Sequence, residues 1–179
     1  MADWEPTLEL MLEHRYRALK AYAVILCGDP NEADDLVQDA IISTFSSLRR
    51  FESPQMAEGY VRRAIASRFI DGRRRAKTRR DALPVLAQDE TDSGADVSTT
   101  VQQRTDMARA LQTLPPRERA CVVLRHLDHL STRETARALG LSEGTVKRYL
   151  ADGVGRLAPL LSTPLDTTHS EWSDVKVTP

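Results

Sequence analysis

Between residues 31 and 50 the side chains of Ala33, Leu36, Val37, Ala40, Ile41, Thr44, Phe45 and Leu48 recur at steps of three and four without a break. That period predicts an amphipathic helix with one buried stripe. Asp29-Pro30-Asn31 marks its start, because Asp29 or Asn31 can accept hydrogen bonds from exposed amides and proline suits a first turn. Upstream, Leu8, Leu12, Tyr16, Leu19, Ala23 and Leu26 trace a second helical stripe, which Gly28 stops in the position of a C-terminal cap. A third begins near Met56, runs through Tyr60, Val61, Ala64, Ile65 and Phe69, and is expected to dissolve into Arg73-Arg74-Arg75-Ala76-Lys77. Residues 1–80 therefore read as one compact helical domain.

From 81 to 106 the period is lost in Asp, Ser and Thr, which predicts a flexible acidic linker. Helical signals resume at Met107-Ala108-Arg109-Ala110-Leu111. Leu114-Pro115-Pro116 interrupts the chain, and Ala120, Val123, Leu124 and Leu127 follow on a new helix. Ser131 with Glu134 is a capping-box pair, and Ser142 is placed to cap a last helix carrying Val146, Tyr149, Leu150, Val154 and Leu157. Residues 107–161 make a second helical domain, and 162–179 a polar tail. The expected fold is all-α, two small helical domains joined by a linker. Gly153 and Gly155 fall inside the last helix, where each costs about 1 kcal/mol relative to alanine. Its later turns are expected to fray or bend.

Composition adds little until it is divided. The 179 residues are 41% hydrophobic, 28% charged and 5% aromatic with a formal net charge of −1, ordinary values for a water-soluble helical protein. By segment the charge is −6 for 1–61, +8 for 62–80, −5 for 81–106, +4 for 107–161 and −2 for 162–179. Two basic blocks lie hidden between three acidic ones, an asymmetry that points to nucleic acid. Cys27 and Cys121 match no metal or redox spacing and read as buried hydrophobes in a reducing, cytoplasmic setting. No signal-peptide pattern and no membrane-spanning apolar run occurs. His126 and His129 lack the further ligands of a zinc site, and no glycine loop, nucleophile or carboxylate pair supports catalysis, a metal or another cofactor.

The pattern from Ser131 to Leu150 is that of a helix-turn-helix. Ala136 permits close helix approach, Gly140 permits a left-handed turn, and Val146 and Tyr149 lock the crossing from inside. Arg133, Ser142, Glu143, Gly144, Thr145, Lys147 and Arg148 then lie where a recognition helix meets the major groove and its flanking phosphates. The run Arg73, Arg74, Arg75, Lys77, Arg79 and Arg80 has the density of cations that neutralises a phosphate backbone.

The chain resembles the extracytoplasmic-function sigma factors of bacterial RNA polymerase, within the sigma-70 family. The resemblance rests on Gly28 to Ala40, similar to the signature of sigma region two, on Arg63 to Asp71, similar to the end of that region, and on Leu114-Pro115-Pro116-Arg117-Glu118-Arg119 with the helix-turn-helix, similar to region four. It implies a region-two helical bundle, a region-four helix-turn-helix and promoter-specific initiation with core RNA polymerase. Asp35, Leu36, Val37, Gln38 and Asp39 lie where the family binds the polymerase clamp. Of these, Leu36 and Val37 belong to the buried stripe by period, leaving Asp35, Gln38 and Asp39 to face a partner. Phe51, Met56, Tyr60, Arg63, Ser67, Asp71, Arg74 and Arg75 lie where the family recognises and melts the minus-ten element; Phe51 and Met56 fit either a base pocket or the core. Tyr60 stands where relatives often carry Trp, and Ser67 where many carry Asn. The recognition-helix residues would hold the minus-thirty-five element as duplex. The resemblance further implies core polymerase, promoter DNA and an anti-sigma factor as partners.

Two other functions fit parts of the chain. A free-standing helix-turn-helix regulator explains 107–161 but neither the 29–40 signature nor the basic block at 62–80. A sigma-like protein that only binds a regulator explains the signatures without initiation.

Overall fold

The computed structural model describes residues 5–46, 51–82 and 99–160. Helices account for nearly all of them. Helix α1 spans Glu5–Cys27, α2 Pro30–Phe45 and α3 Pro54–Ala82, and the three pack on one another as a bundle. The period selects much of the contact faces: Leu19, Ala23 and Leu26 from α1, the whole Ala33-to-Phe45 stripe from α2, and Val61, Ile65 and Phe69 from α3 are all buried. In α1, however, Met11 and Tyr22 are buried although the expected stripe omits them, and Leu12 of that stripe is exposed. The α1–α2 corner is set by Gly28, at φ 81°, whose amide donates to Val24 O at 2.8 Å. Asp29 then caps α2, accepting from the amide of Asn31 at 2.8 Å, while Pro30 occupies the first turn. Between the two capping residues that the sequence left open, the structure selects Asp29.

Helix α3 does not dissolve at Arg73 but continues through the basic run to Ala82. Arginine and lysine have high helix propensity, and Arg73 and Arg74 are partnered by Glu32 and Asp71, so cation density alone does not end the helix.

The second unit consists of α4 (Thr99–Gln112), α5 (Pro116–His126), α6 (Thr132–Leu139) and α7 (Glu143–Leu157), closed by a short 3-10 turn, Ala158–Leu160. Helix α4 thus starts eight residues before Met107. Every residue from Glu118 to Leu124 is buried, because α5 is wrapped by α6 and α7 of its own unit and by α1 and α3 of the other. A capping box starts α6, with Ser131 Oγ accepting from the Glu134 amide at 3.2 Å and the Glu134 carboxylate accepting from the Ser131 amide at 2.8 Å. Gly140, at φ 63°, ends it in the left-handed conformation, and Ser142 caps α7 through the amide of Thr145 at 3.1 Å.

Helix α7 is continuous across Gly153 and Gly155, so the expected fraying of its later turns does not occur. The reason is packing at the first glycine. Gly153 is buried, and a Cβ placed there would stand 2.9 Å from Val122 Cγ2, so glycine lets α7 lie directly on α5. At Gly155 a Cβ would meet nothing within 4 Å. Of the predicted 81–106 linker, residues 83–98 lie outside the described residues, as do Leu48 of the expected α2 stripe and the 162–179 tail.

Candidate polymerase and nucleic-acid interfaces

Helix α2 offers a clean division of labour. Leu36 and Val37 are buried, whereas Asp35, Gln38 and Asp39 are exposed on the opposite face. Ile42 joins them at 65% exposure, one turn beyond Gln38, giving this strip an apolar end that the sequence period had not singled out. Its signal was present: Ile42 is the one large apolar residue of α2 that falls off the buried stripe. Arg68 approaches Asp39 at 3.8 Å, Lys20 holds the neighbouring Asp34 at 2.6 Å, and Gln38 hydrogen-bonds Tyr16.

On α3 and just before it, the residues assigned to minus-ten contact separate into four environments. Phe51 is buried, its ring 5.3 Å from Phe45 and 5.5 Å from Tyr60, and so forms the floor beneath Tyr60. Met56 is exposed. Tyr60, Arg63 and Ser67 share one helical face, where the Arg63 guanidinium lies 4.5 Å from the centre of the Tyr60 ring. Asp71 pairs with Arg74 at 3.2 Å, and Arg74, Arg75, Lys77 and Arg79 are exposed along the outer end. Tyr60, Arg63, Ala64 and Ser67 form one wall of a cleft of about 680 Å³. Its other wall is Glu134, Arg137 and Ala138 of α6, from the second unit. Glu134 is held below the usual carboxylate range, first by the Ser131 hydroxyl, next by the Ser131 amide and then by cations that include Arg63.

The recognition-helix set is arranged differently. Arg133, Ser142, Glu143, Gly144, Lys147 and Arg148 are exposed and Thr145 is half-buried, while Val146 beneath them is fully buried. The first turn of α7 is thereby fixed from below by one apolar residue and from its end by the Ser142 cap. No group of three or more His, Cys, Asp or Glu among the described residues is placed to hold a metal ion. Cys27 and Cys121 are free and buried, the thiol of Cys121 pushed up to about 12 by burial.

Sequence period did not foresee how the two units are joined. Asp128, in the turn between α5 and α6, accepts from Tyr22 Oη at 2.7 Å and from Arg62 at 3.0 Å. Gln112 and Arg119 reach the other way, donating to the carbonyls of Val24, Ile25 and Leu26 at the end of α1. Arg119 also donates to the carbonyls of Gln112 and Leu114 and lies over Phe69, and burial, helped by Arg73, lowers its guanidinium to about 10. The last turn of α1 carries no basic residue of its own, so its unpaired carbonyls were the available signal.

The described residues thus form a helical bundle with an acidic strip and a basic helix, packed against a helix-turn-helix unit. Residues 11–79 match Sigma-70 region 2, and residues 104–157 match Sigma-70, region 4. The RNA polymerase sigma-E factor of Streptomyces coelicolor is 34% identical over 158 residues, covering 88% of each chain. The ECF RNA polymerase sigma factor SigM of Mycobacterium tuberculosis is 32% identical over 151 residues, 84% of this chain and 75% of that one. The sigma factor RpoE from Bartonella quintana, solved in complex with the anti-sigma factor NepR, superposes with a TM-score of 0.61 at 25% identity, over 89% of this chain and 97% of that one. The chain belongs to the extracytoplasmic-function sigma factors of the sigma-70 family, whose role is promoter-specific transcription initiation.

Proposed function

We propose that the three surfaces divide the work of initiation between them. Residues 1–80 dock on core RNA polymerase through Asp35, Gln38 and Asp39, with Leu36 and Val37 holding that face rigid from below. The same domain takes the minus-ten element against Tyr60, Arg63 and Ser67, with Phe51 and Met56 beside them and Asp71, Arg74 and Arg75 further along the helix. Residues 107–161 hold the minus-thirty-five element as duplex through Arg133, Ser142, Glu143, Gly144, Thr145, Lys147 and Arg148, and the segment between α3 and α4 joins the two. The chain supplies binding and positioning in the cytoplasm, and bond formation belongs to the polymerase. An anti-sigma factor is a further partner, as it is for the solved relative.

The observation that carries this reading is the separation of faces on α2. Asp35, Gln38, Asp39 and Ile42 are solvent-facing, while the residues between them build the core. An exposed isoleucine beside Asp39 and Gln38 combines the apolar and polar groups that a protein contact uses. The test is affinity capture of purified core polymerase by the full chain, followed by transcription from a library of genomic fragments with sequencing of the transcript starts. Asp35→Ala with Gln38→Ala should lower core binding at least about tenfold, the loss of one or two good contacts, with helicity unchanged. Unaltered core binding would place the interface elsewhere, and chain-independent transcript starts would favour a free-standing DNA-binding regulator.

A further inference from the structure

We propose that Tyr16 is a positioning residue for the polymerase contact: it turns the Gln38 amide so that Oε1, not the amino group, faces the partner. The face formed by Asp35, Gln38 and Asp39 then offers acceptors alone, and fits a partner surface of N–H donors and cations. The inference rests on the polymerase reading of that face.

The seam between α1 and α2 is polar at this edge. Tyr16 and Lys20, one turn apart on α1, meet Asp34 and Gln38, one turn apart on α2. Lys20 Nζ donates to Asp34 Oδ2 at 2.6 Å, and Tyr16 Oη donates to Asp34 Oδ1 at 3.3 Å. Gln38 hydrogen-bonds the same phenol. Helical period places Tyr16 in the buried stripe of α1, yet the residue is half-buried and its hydroxyl reaches the edge of the strip.

Donor and acceptor chemistry fixes which end of Gln38 turns inward. A carboxylate only accepts, and a phenol has one proton to give. That proton goes to Asp34, which Lys20 holds in place. The phenol keeps it at neutral pH, since burial first and the Asp34 charge second push its pKa above the ordinary value. Its oxygen can then only accept, so Gln38 meets it with Nε2, and Oε1, on the opposite corner of the planar amide, is left on the exposed side. An untethered glutamine would present either end and would have to be ordered on binding, a cost that the Tyr16 contact removes in advance.

The rest of the face agrees in sense. Asp35 and Asp39 are exposed carboxylates, acceptors in every rotamer. Arg68 lies 3.8 Å from Asp39, beyond hydrogen-bond length, and its Nε donates instead to Ser43 Oγ at 3.4 Å. Asp39 therefore keeps its lone pairs for a partner. A face of one hydrogen-bonding sense also rejects surfaces that present carbonyls or carboxylates.

The experiment measures binding of the full chain to purified core RNA polymerase for the parent, Tyr16→Phe, Gln38→Ala, Gln38→Lys and the double variant Tyr16→Phe with Gln38→Ala. Helicity is followed in each. Tyr16→Phe keeps the ring and removes only the hydroxyl, and it should weaken core binding about threefold to tenfold, the worth of one hydrogen bond. The same change should cost nothing further once residue 38 is alanine. Gln38→Lys, which sets a cation where an acceptor stood, should weaken binding more than Gln38→Ala. In NMR of the free chain, the side-chain amide resonances of Gln38 should shift in Tyr16→Phe, and unmoved resonances would overturn the contact. An equal loss from Tyr16→Phe in both backgrounds would overturn the positioning role, because the hydroxyl would then act on the fold and not on Gln38. A silent Tyr16→Phe beside a weakened Gln38→Ala would overturn it too, with the polymerase reading left standing. Gln38→Lys binding no more weakly than Gln38→Ala would overturn the acceptor face. Intact binding by Gln38→Ala would remove the polymerase reading of Gln38 itself, and the positioning role with it.

Discussion

The two units present their DNA-facing residues in opposite ways. The start of α7 stands open, with Lys147 and Arg148 exposed above a buried Val146, whereas Tyr60, Arg63 and Ser67 look across a cleft at α6. The units are also stabilised differently. The first is a bundle of long helices whose stripes bury large side chains such as Tyr22 and Phe69. The second is built from short helices held by terminal chemistry, the Ser131–Glu134 box, Gly140 and Ser142, around a single buried helix. Short helices are marginal alone, so caps and tight packing decide whether they form. The lesson is that one charge pattern can accompany two levels of accessibility, and only packing tells them apart.

Four substitutions sharpen the contrast. Phe69→Ala removes a core ring of the bundle that is 1% exposed and lies beneath Arg73 and Arg119. It should cost about 3–5 kcal/mol in denaturant unfolding and should loosen the second unit as well, because Arg119 reaches across from there. Gly153→Ala should cost about 1–3 kcal/mol by forcing α7 away from Val122, while Gly155→Ala, with open space around it, should gain up to about 1 kcal/mol. Equal effects at the two glycines would contradict the close-packing account of α7. Ser131→Ala should cost about 1 kcal/mol, localised to the helix-turn-helix. Glu134 is a carboxyl lowered from 4.5 by the Ser131 hydroxyl first and the Ser131 amide second. Its contribution is therefore present above that value and lost as pH falls below it. Thermal unfolding across that range should show the acid-sensitive step in the parent chain and a weaker one in Ser131→Ala.

Much of this was legible from residue order. The stripe of α2 and the later part of that of α1, the start of α2 at Asp29–Asn31, the Ser142 cap and the left-handed Gly140 each follow from local rules, since a three- or four-residue step or a cap depends on neighbours in sequence. The polymerase strip was legible to the extent that Leu36 and Val37 could be separated from Asp35, Gln38 and Asp39 by period. What escaped depended on partners distant in sequence. The continuation of α3 rests on Glu32 as well as on propensity, the tolerance of Gly153 rests on Val122, and the cleft over Tyr60 rests on α6. Asp128 is the clearest case: a lone acid in a turn acquires its role only because Tyr22 and Arg62 are folded against it.

The most direct test of the account is a footprint of the complex that this chain forms with core polymerase on a promoter recovered from the transcript-start map. Permanganate reactivity would report unpaired thymines, and nuclease protection would report duplex contact. The account predicts chain-dependent unpairing near the minus-ten element together with protection near minus thirty-five. Lys147→Ala with Arg148→Ala should abolish the upstream protection and flatten the salt dependence of binding by about two phosphate contacts. Protection of duplex without any unpairing, or unpairing that does not require the chain, would contradict it.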